Sequence, residues 1–225
     1  MKKLFLGLAM AAGTLVFAQE QKKQVQTGAV RFGIKAGGNA ASFSEQELSI
    51  KIMKLGFHAG GFVNIPISQK FSIQPEVLYN QLGAENVDVA VAAASEKIKG
   101  YKASLNYISV PLMIQMRPTR NFYIEAGPEF SYFLNGKIKG ERAVVTGTAD
   151  GATVVVTESY SEDINKDTIN KLNVGLGLGL GYDFSNHLGM NARYVNSLTD
   201  IAKDRLDGQN TVNNRVFQLG LNYKF

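Results

Sequence analysis

Between Leu172 and Phe184 the chain alternates with strict period two. Leu172, Val174, Leu176, Leu178, Leu180, Tyr182 and Phe184 share one parity, and Asn173, Gly175, Gly177, Gly179, Gly181 and Asp183 share the other. This is the period of an extended strand with two unlike faces. One face is a column of large apolar groups; the other carries almost no side chain. A soluble sheet would press the bulky face against a second layer and leave the bare face wet. A small membrane barrel would turn the bulky face to lipid and place glycine where its narrow interior is crowded.

The N-terminus bears on that choice. Met1-Lys2-Lys3 precedes an apolar run that ends Val16-Phe17-Ala18 before Gln19-Glu20-Gln21. A basic start, a short apolar core and small residues before polar sequence predict a secretory signal peptide over residues 1–18, cleaved after Ala18. Removing it takes away Lys2 and Lys3 and leaves 22 basic against 19 acidic side chains, net +3. So small and dispersed a charge does not point to nucleic acid. The absence of cysteine excludes a disulfide framework and thiolate chemistry. Beyond the signal, no apolar run is long enough for a transmembrane helix. A membrane location then demands a closed barrel, because lipid cannot satisfy an open strand edge.

Residues 19–30 are polar and unpatterned and read as a flexible lead-in to a single domain over 31–225. Eight strands follow from the alternation: Arg31–Asn39, Leu55–Ile67, Phe71–Leu82, Ala103–Arg117, Phe122–Leu134, Leu172–Phe184, Leu188–Leu198 and Asn214–Phe225. Pro75 lacks a ladder donor and predicts a bulge or local edge. Connections after the second, fourth and sixth strands are about three or four residues, whereas the others are long. In an up-and-down meander this gathers the tight turns at one rim and the long loops at the other, as in outer-membrane barrels. Within the longest connection, Asn135–Asn170, Asp150-Gly151 lies between β-branched runs and predicts a hairpin projecting beyond the barrel.

Three features place lipid outside. The strands are long enough for a tilted crossing. Aromatics end the apolar columns, as Phe71 with Tyr79, Phe122 with Tyr132, Tyr182 with Phe184 and Tyr223 with Phe225. The opposite parity carries Lys35, His58, Glu76, Glu125, Glu129, Asp183, Arg193 and Lys224, too much charge for the core of a soluble sandwich. An eight-stranded lumen is filled by its own side chains. Glu76, Glu125 and Glu129 are therefore expected to pair inside with Lys35, Arg193 and Lys224.

These residues carry a family resemblance. Phe122-Tyr-Ile-Glu-Ala-Gly-Pro-Glu-Phe130, the Gly175–Tyr182 repeat, Tyr107-Ile-Ser-Val-Pro-Leu112, Leu198-Thr-Asp-Ile201 and Gln218-Leu-Gly-Leu-Asn-Tyr-Lys-Phe225 resemble the outer membrane protein β-barrel family of Bacteroidetes, the porin-family or PorT-like barrels. The resemblance spans nearly all of the mature chain. It implies an all-β, eight-stranded antiparallel transmembrane barrel in the outer membrane of a Gram-negative bacterium, with short periplasmic turns and long extracellular loops. Its surroundings would be outer-membrane lipid and lipopolysaccharide. Tyr223 and Phe225 resemble the C-terminal signal read by the barrel-assembly machinery, which would make that machinery a transient partner. No catalytic residue, cofactor or agreed ligand comes with the family.

Chemistry is sparse. His58 lies on the inward parity and His187 in a tight turn, and no cluster of histidine with serine or acid can be placed at the outer rim. Gly175 to Gly181 recur at every second residue with no helix after them, unlike a phosphate-binding loop. Glu158, Glu162, Asp163 and Asp167 match no calcium-loop spacing and read as a solvated acidic loop. A non-catalytic outer-membrane barrel with a structural or surface-binding role is therefore expected. A narrow solute channel and a soluble lipocalin-like carrier with inverted faces are the alternatives.

Overall fold

The computed structural model describes residues 28–43, 53–85, 98–149, 152–203 and 212–225. The expected signal peptide and most of the lead-in lie outside these residues, as do Asp150 and Gly151. Nine strands form one antiparallel sheet: β1 (Arg31–Phe43), β2 (Lys54–Pro66), β3 (Phe71–Glu85), β4 (Ile98–Met116), β5 (Phe122–Ala149), β6 (Ala152–Asp163), β7 (Leu172–Asp183), β8 (Leu188–Ser197) and β9 (Asn214–Lys224). Pairing runs β4-β3-β2-β1-β9-β8-β7-β5-β6, and β4 also pairs with β5. That second pairing closes eight strands into an up-and-down barrel and leaves β6 outside it.

Orientation follows the alternation. Leu176, Leu178 and Leu180 are 52%, 65% and 51% exposed, while Glu125 and Arg193 are 3% and 2% exposed. The apolar columns therefore face outward on every barrel strand, the reverse of a soluble carrier. Aromatic pairs mark both ends of the apolar band, with Tyr182–Phe184 and Tyr223–Phe225 at the short-turn rim and Phe57–Tyr79 and Tyr194–Phe217 toward the other. Rings at these two levels form the girdles of a membrane barrel.

The glycines of β7 face inward, and neighbours fill the space they leave. A Cβ on Gly181 would collide with the Tyr123 ring, on Gly179 with the Glu125 side chain, and on Gly177 with the Met113 methyl. The short turns close with a shared device. Ser68 Oγ accepts from Phe71 N, Thr119 Oγ1 from Phe122 N and Ser185 Oγ from Leu188 N, at 3.1, 3.0 and 3.0 Å.

Two expectations are modified. No bulge forms at Pro75: Phe62 opposite Glu76 and Ile65 opposite Ile73 keep one register, with the ladder interrupted between them. Proline removes a donor without adding a residue, so the register survives. Register shifts occur instead in the β4–β5 pairing, between Lys99 and Lys102 and at Asn106/Tyr107. Second, β5 does not stop near Leu134. Its first part, Phe122–Tyr132, pairs with β7, and its last part, Lys137–Ala149, pairs with β6. The expected hairpin is thus a continuation of a barrel strand, and those 13 paired-span residues rise roughly 40 Å along the strand.

Candidate functional site

The lumen is filled in layers. At its middle, Arg193 projects from β8 between two carboxylates. Its Nη1 and Nη2 donate to Glu76 Oε2 and Oε1 at 3.0 and 2.8 Å, and its Nε donates to Glu125 Oε1 at 2.8 Å. Lys35 Nζ reaches the same Glu76 at 3.0 and 3.1 Å. Gln74 and Gln115 supply further donors, to Glu76 Oε1 at 2.9 Å and Glu125 Oε2 at 3.0 Å. The four ionised groups sum to zero, and the planar guanidinium fork satisfies both acids at once. Such a cluster ties β1, β3, β5 and β8 together across the barrel.

Lys224 does not join it. It sits at the short-turn end of β9 and donates to Asp183 Oδ2 at 2.6 Å, which also accepts from Arg117 Nη1 at 2.8 Å. Arg117 and Lys224 lie 4.8 and 5.9 Å from the centroid of the Tyr123 ring. Lys224 is near its end of the strand, and Asp183 near the end of β7 offers the carboxylate at its own level. Glu129 also differs from expectation. It is buried four residues along β5 from Glu125, accepts from Ser131 Oγ at 3.3 Å, and its Oε2 has no hydrogen-bond partner among the described residues. His58 is buried with Nδ1 2.7 Å from Asn39 Oδ1, and His187 Nδ1 donates to the Lys224 carbonyl at 2.8 Å. Among the described residues no group of three or more histidines or acids could hold a metal ion.

Toward the long-loop end the lumen turns apolar. Ala41, Leu82, Leu105, Tyr107, Phe133, Val195 and Val216 point inward from six strands and pack with Ile169 and Ile201 from two loops. Tyr107 and Phe133 meet edge to face at 5.5 Å. Backbone ties hold the loop residues in place: Ile169 bridges Ala202, Asn170 N donates to Ile201 O at 2.9 Å, and Asn170 Nδ2 donates to the Asp200 and Ala202 carbonyls at 2.8 and 3.0 Å. The seal was visible in part as apolar residues on the otherwise polar parity at one end of several strands. Ile169 and Ile201 lie in unpatterned loops and gave no such signal.

A sealed lumen has a direct electrical consequence. Reconstituted in a planar bilayer, the protein is expected to give no stable conductance steps; reproducible steps would require a water path through the Tyr107–Phe133 layer.

Beyond the seal, β4, β5 and β6 continue as an arm. Its base carries Lys137 paired with Asp163 at 3.5 Å, and among the described residues β6 has a strand partner on one side only. Glu158, Glu162 and Asp163 lie on β6, and Asp167 pairs with Lys171 at 3.9 Å.

No curated protein matches the chain. Among solved structures, Ail, the attachment invasion locus protein of Yersinia pestis, crystallised with the heparin analogue sucrose octasulfate, is 15% identical, with 88% of this chain and 100% of that one covered and a TM-score of 0.46. Neisserial surface protein A is 13% identical over 87% and 97% of the two chains, with a TM-score of 0.41. OprG from Pseudomonas aeruginosa is 14% identical over 90% and 99%, also with a TM-score of 0.41. Residues 17–203 match the outer membrane protein beta-barrel domain. With its apolar exterior and charged, filled lumen, the chain belongs to that family and is an integral protein of the outer membrane.

Proposed function

We propose that this barrel is a non-catalytic surface-binding protein whose extracellular arm engages an external partner through β6. The observation that carries this is the edge position of that strand, which ends the strand order among the described residues. An edge strand presents a row of unpaired backbone donors and acceptors, and an extended segment of another protein can add to it. The filled lumen supports this reading: among the described residues the central ion cluster and the apolar layer above it occupy the barrel interior, which suits a rigid base.

The register offers a clean test. Lys139 pairs with Ser161, so residues 140–160 can be replaced by Asn-Gly to make a short hairpin without altering the barrel. Cells displaying this variant are expected to insert it normally, shown by heat-modifiable migration, and to lose attachment to surfaces that the parent binds. Equal attachment by both would remove the arm from the function.

Lipopolysaccharide and outer-membrane lipid surround the barrel in this reading, and the assembly machinery acts on it transiently. Tyr223 and Phe225, both exposed on the lipid face, would carry the insertion signal. Deleting Phe225 should slow assembly in cells while leaving refolding into lipid vesicles nearly unchanged; equal slowing in both would assign Phe225 to folding alone. The narrower kinship to Bacteroidetes porin-family and PorT-like barrels rests on the Tyr107–Leu112, Phe122–Phe130, Gly175–Tyr182, Leu198–Ile201 and Gln218–Phe225 motifs, and end-to-end alignment of those barrels with residues 31–225 is its test.

A further inference from the structure

The short-turn rim holds a polar cavity of about 570 Å³, a volume usual for small-ligand sites. Its walls carry four cationic side chains, Arg31, Arg117, Arg120 and Lys224, against a single carboxylate, Asp183. That carboxylate is already engaged by two of the cations, Arg117 at 2.8 Å and Lys224 at 2.6 Å. Arg31 and Arg120 are exposed and have no ion-pair partner among the described residues. Arg31 uses Nη1 to donate to the Asn186 carbonyl at 3.0 Å, which fixes its fork at the rim with other donors unused.

An apolar outer wall adjoins this cavity. Phe71 lines it while standing exposed on the outer face, and Ile67 beside it is exposed as well. A cationic recess joined to an apolar outer wall at the girdle level matches an amphiphile whose head is an anion and whose tail runs up the barrel. Guanidinium groups favour phosphate among anions, because their planar donors meet two oxygens together.

We propose that this rim binds the phosphodiester headgroup of an anionic phospholipid in the periplasmic leaflet, with Arg31 and Arg120 as its principal ligands and Phe71 as the seat of the first acyl carbons. The site is separate from the extracellular arm and does not depend on what the arm binds.

Native mass spectrometry of the full barrel, released from phosphatidylcholine nanodiscs containing a minor fraction of phosphatidylglycerol, tests it. The parent is expected to retain one phosphatidylglycerol selectively. The double variant Arg31→Ala/Arg120→Ala should lose that selectivity by roughly thirty-fold, and Arg31→Lys/Arg120→Lys should keep part of it, since the charge remains and the fork does not. Both arginines are exposed and outside the central cluster, so folding is checked by heat-modifiable migration. Lys137→Ala/Lys139→Ala, on the arm, should change nothing. Unchanged retention in the double alanine variant overturns the proposal. So does equal arginine-dependent binding of soluble glycerol phosphate, which would assign the recess to a free phosphate ester.

Discussion

Arg193→Met is expected to lower the barrel's stability in lipid vesicles by about 3–5 kcal/mol, the usual cost of removing one partner from a buried ionic cluster. Methionine fills a similar volume, so the loss is electrostatic rather than a cavity. Without the guanidinium, Glu76 keeps Lys35 at 3.0 Å, but Glu125 keeps only the neutral Gln115 amide. The uncompensated charge is therefore Glu125. The double variant Arg193→Met/Glu125→Gln should recover much of the loss, because it leaves one matched lysine–glutamate pair. Urea titration of refolded protein, followed by heat-modifiable migration, measures both. If the double variant is no more stable than the single one, the cluster is held by packing and not by charge balance.

Gly37→Val should be nearly as damaging, by about 3 kcal/mol, while Gly38→Val at the next position should be neutral or mildly stabilising. The contrast follows from which way each residue faces. At Gly37 any Cβ would run into the Leu219 carbonyl oxygen, the Gly220 Cα and the His58 ring. Two of these belong to the backbone of β9, so β1 and β9 would have to separate along a seam that pairs from Gly33–Lys224 to Phe43–Asn214. At Gly38 the nearest atom is 4.0 Å away, on the lipid side. There a β-branched residue adds strand propensity and restrains the unfolded chain. Equal effects at the two positions would mean that the interior is looser than its contacts imply. The same titration reads both.

The barrel strands were legible because their faces meet such different surroundings. Period two separates Leu176, Leu178 and Leu180 from Gly175, Gly177 and Gly179 with no ambiguity, and the alternation of short and long connections orders the strands. The ends toward the long loops were harder. There Leu82, Tyr107, Phe133 and Val216 replace polar groups on the inward parity, so both faces are apolar and the pattern that marks a strand's end fades. The extension of β5 beyond Leu134 was hidden for a related reason. An arm in water on both faces needs no alternation, and Lys137, Lys139 and Glu141 read as loop. Parity identified the charged residues that line the lumen, but not their partners. Partnering depends on depth along the barrel, and depth is set by stagger between strands. Thus Arg193 meets Glu76 and Glu125, whereas Lys224 meets Asp183.

Membrane placement rests on which parity of each strand touches lipid. Because the chain has no cysteine, single cysteines can be introduced along β9 from Phe217 to Tyr223, spin-labelled, and probed in bilayers for collision with dissolved oxygen and with a water-soluble nickel chelate. Labels at Phe217, Leu219, Leu221 and Tyr223 should show high oxygen and low nickel accessibility, alternating with low oxygen accessibility at Gln218, Gly220 and Asn222. Oxygen accessibility that peaks on Gln218, Gly220 and Asn222, or that shows no period of two, would contradict a barrel with lipid outside and charge within.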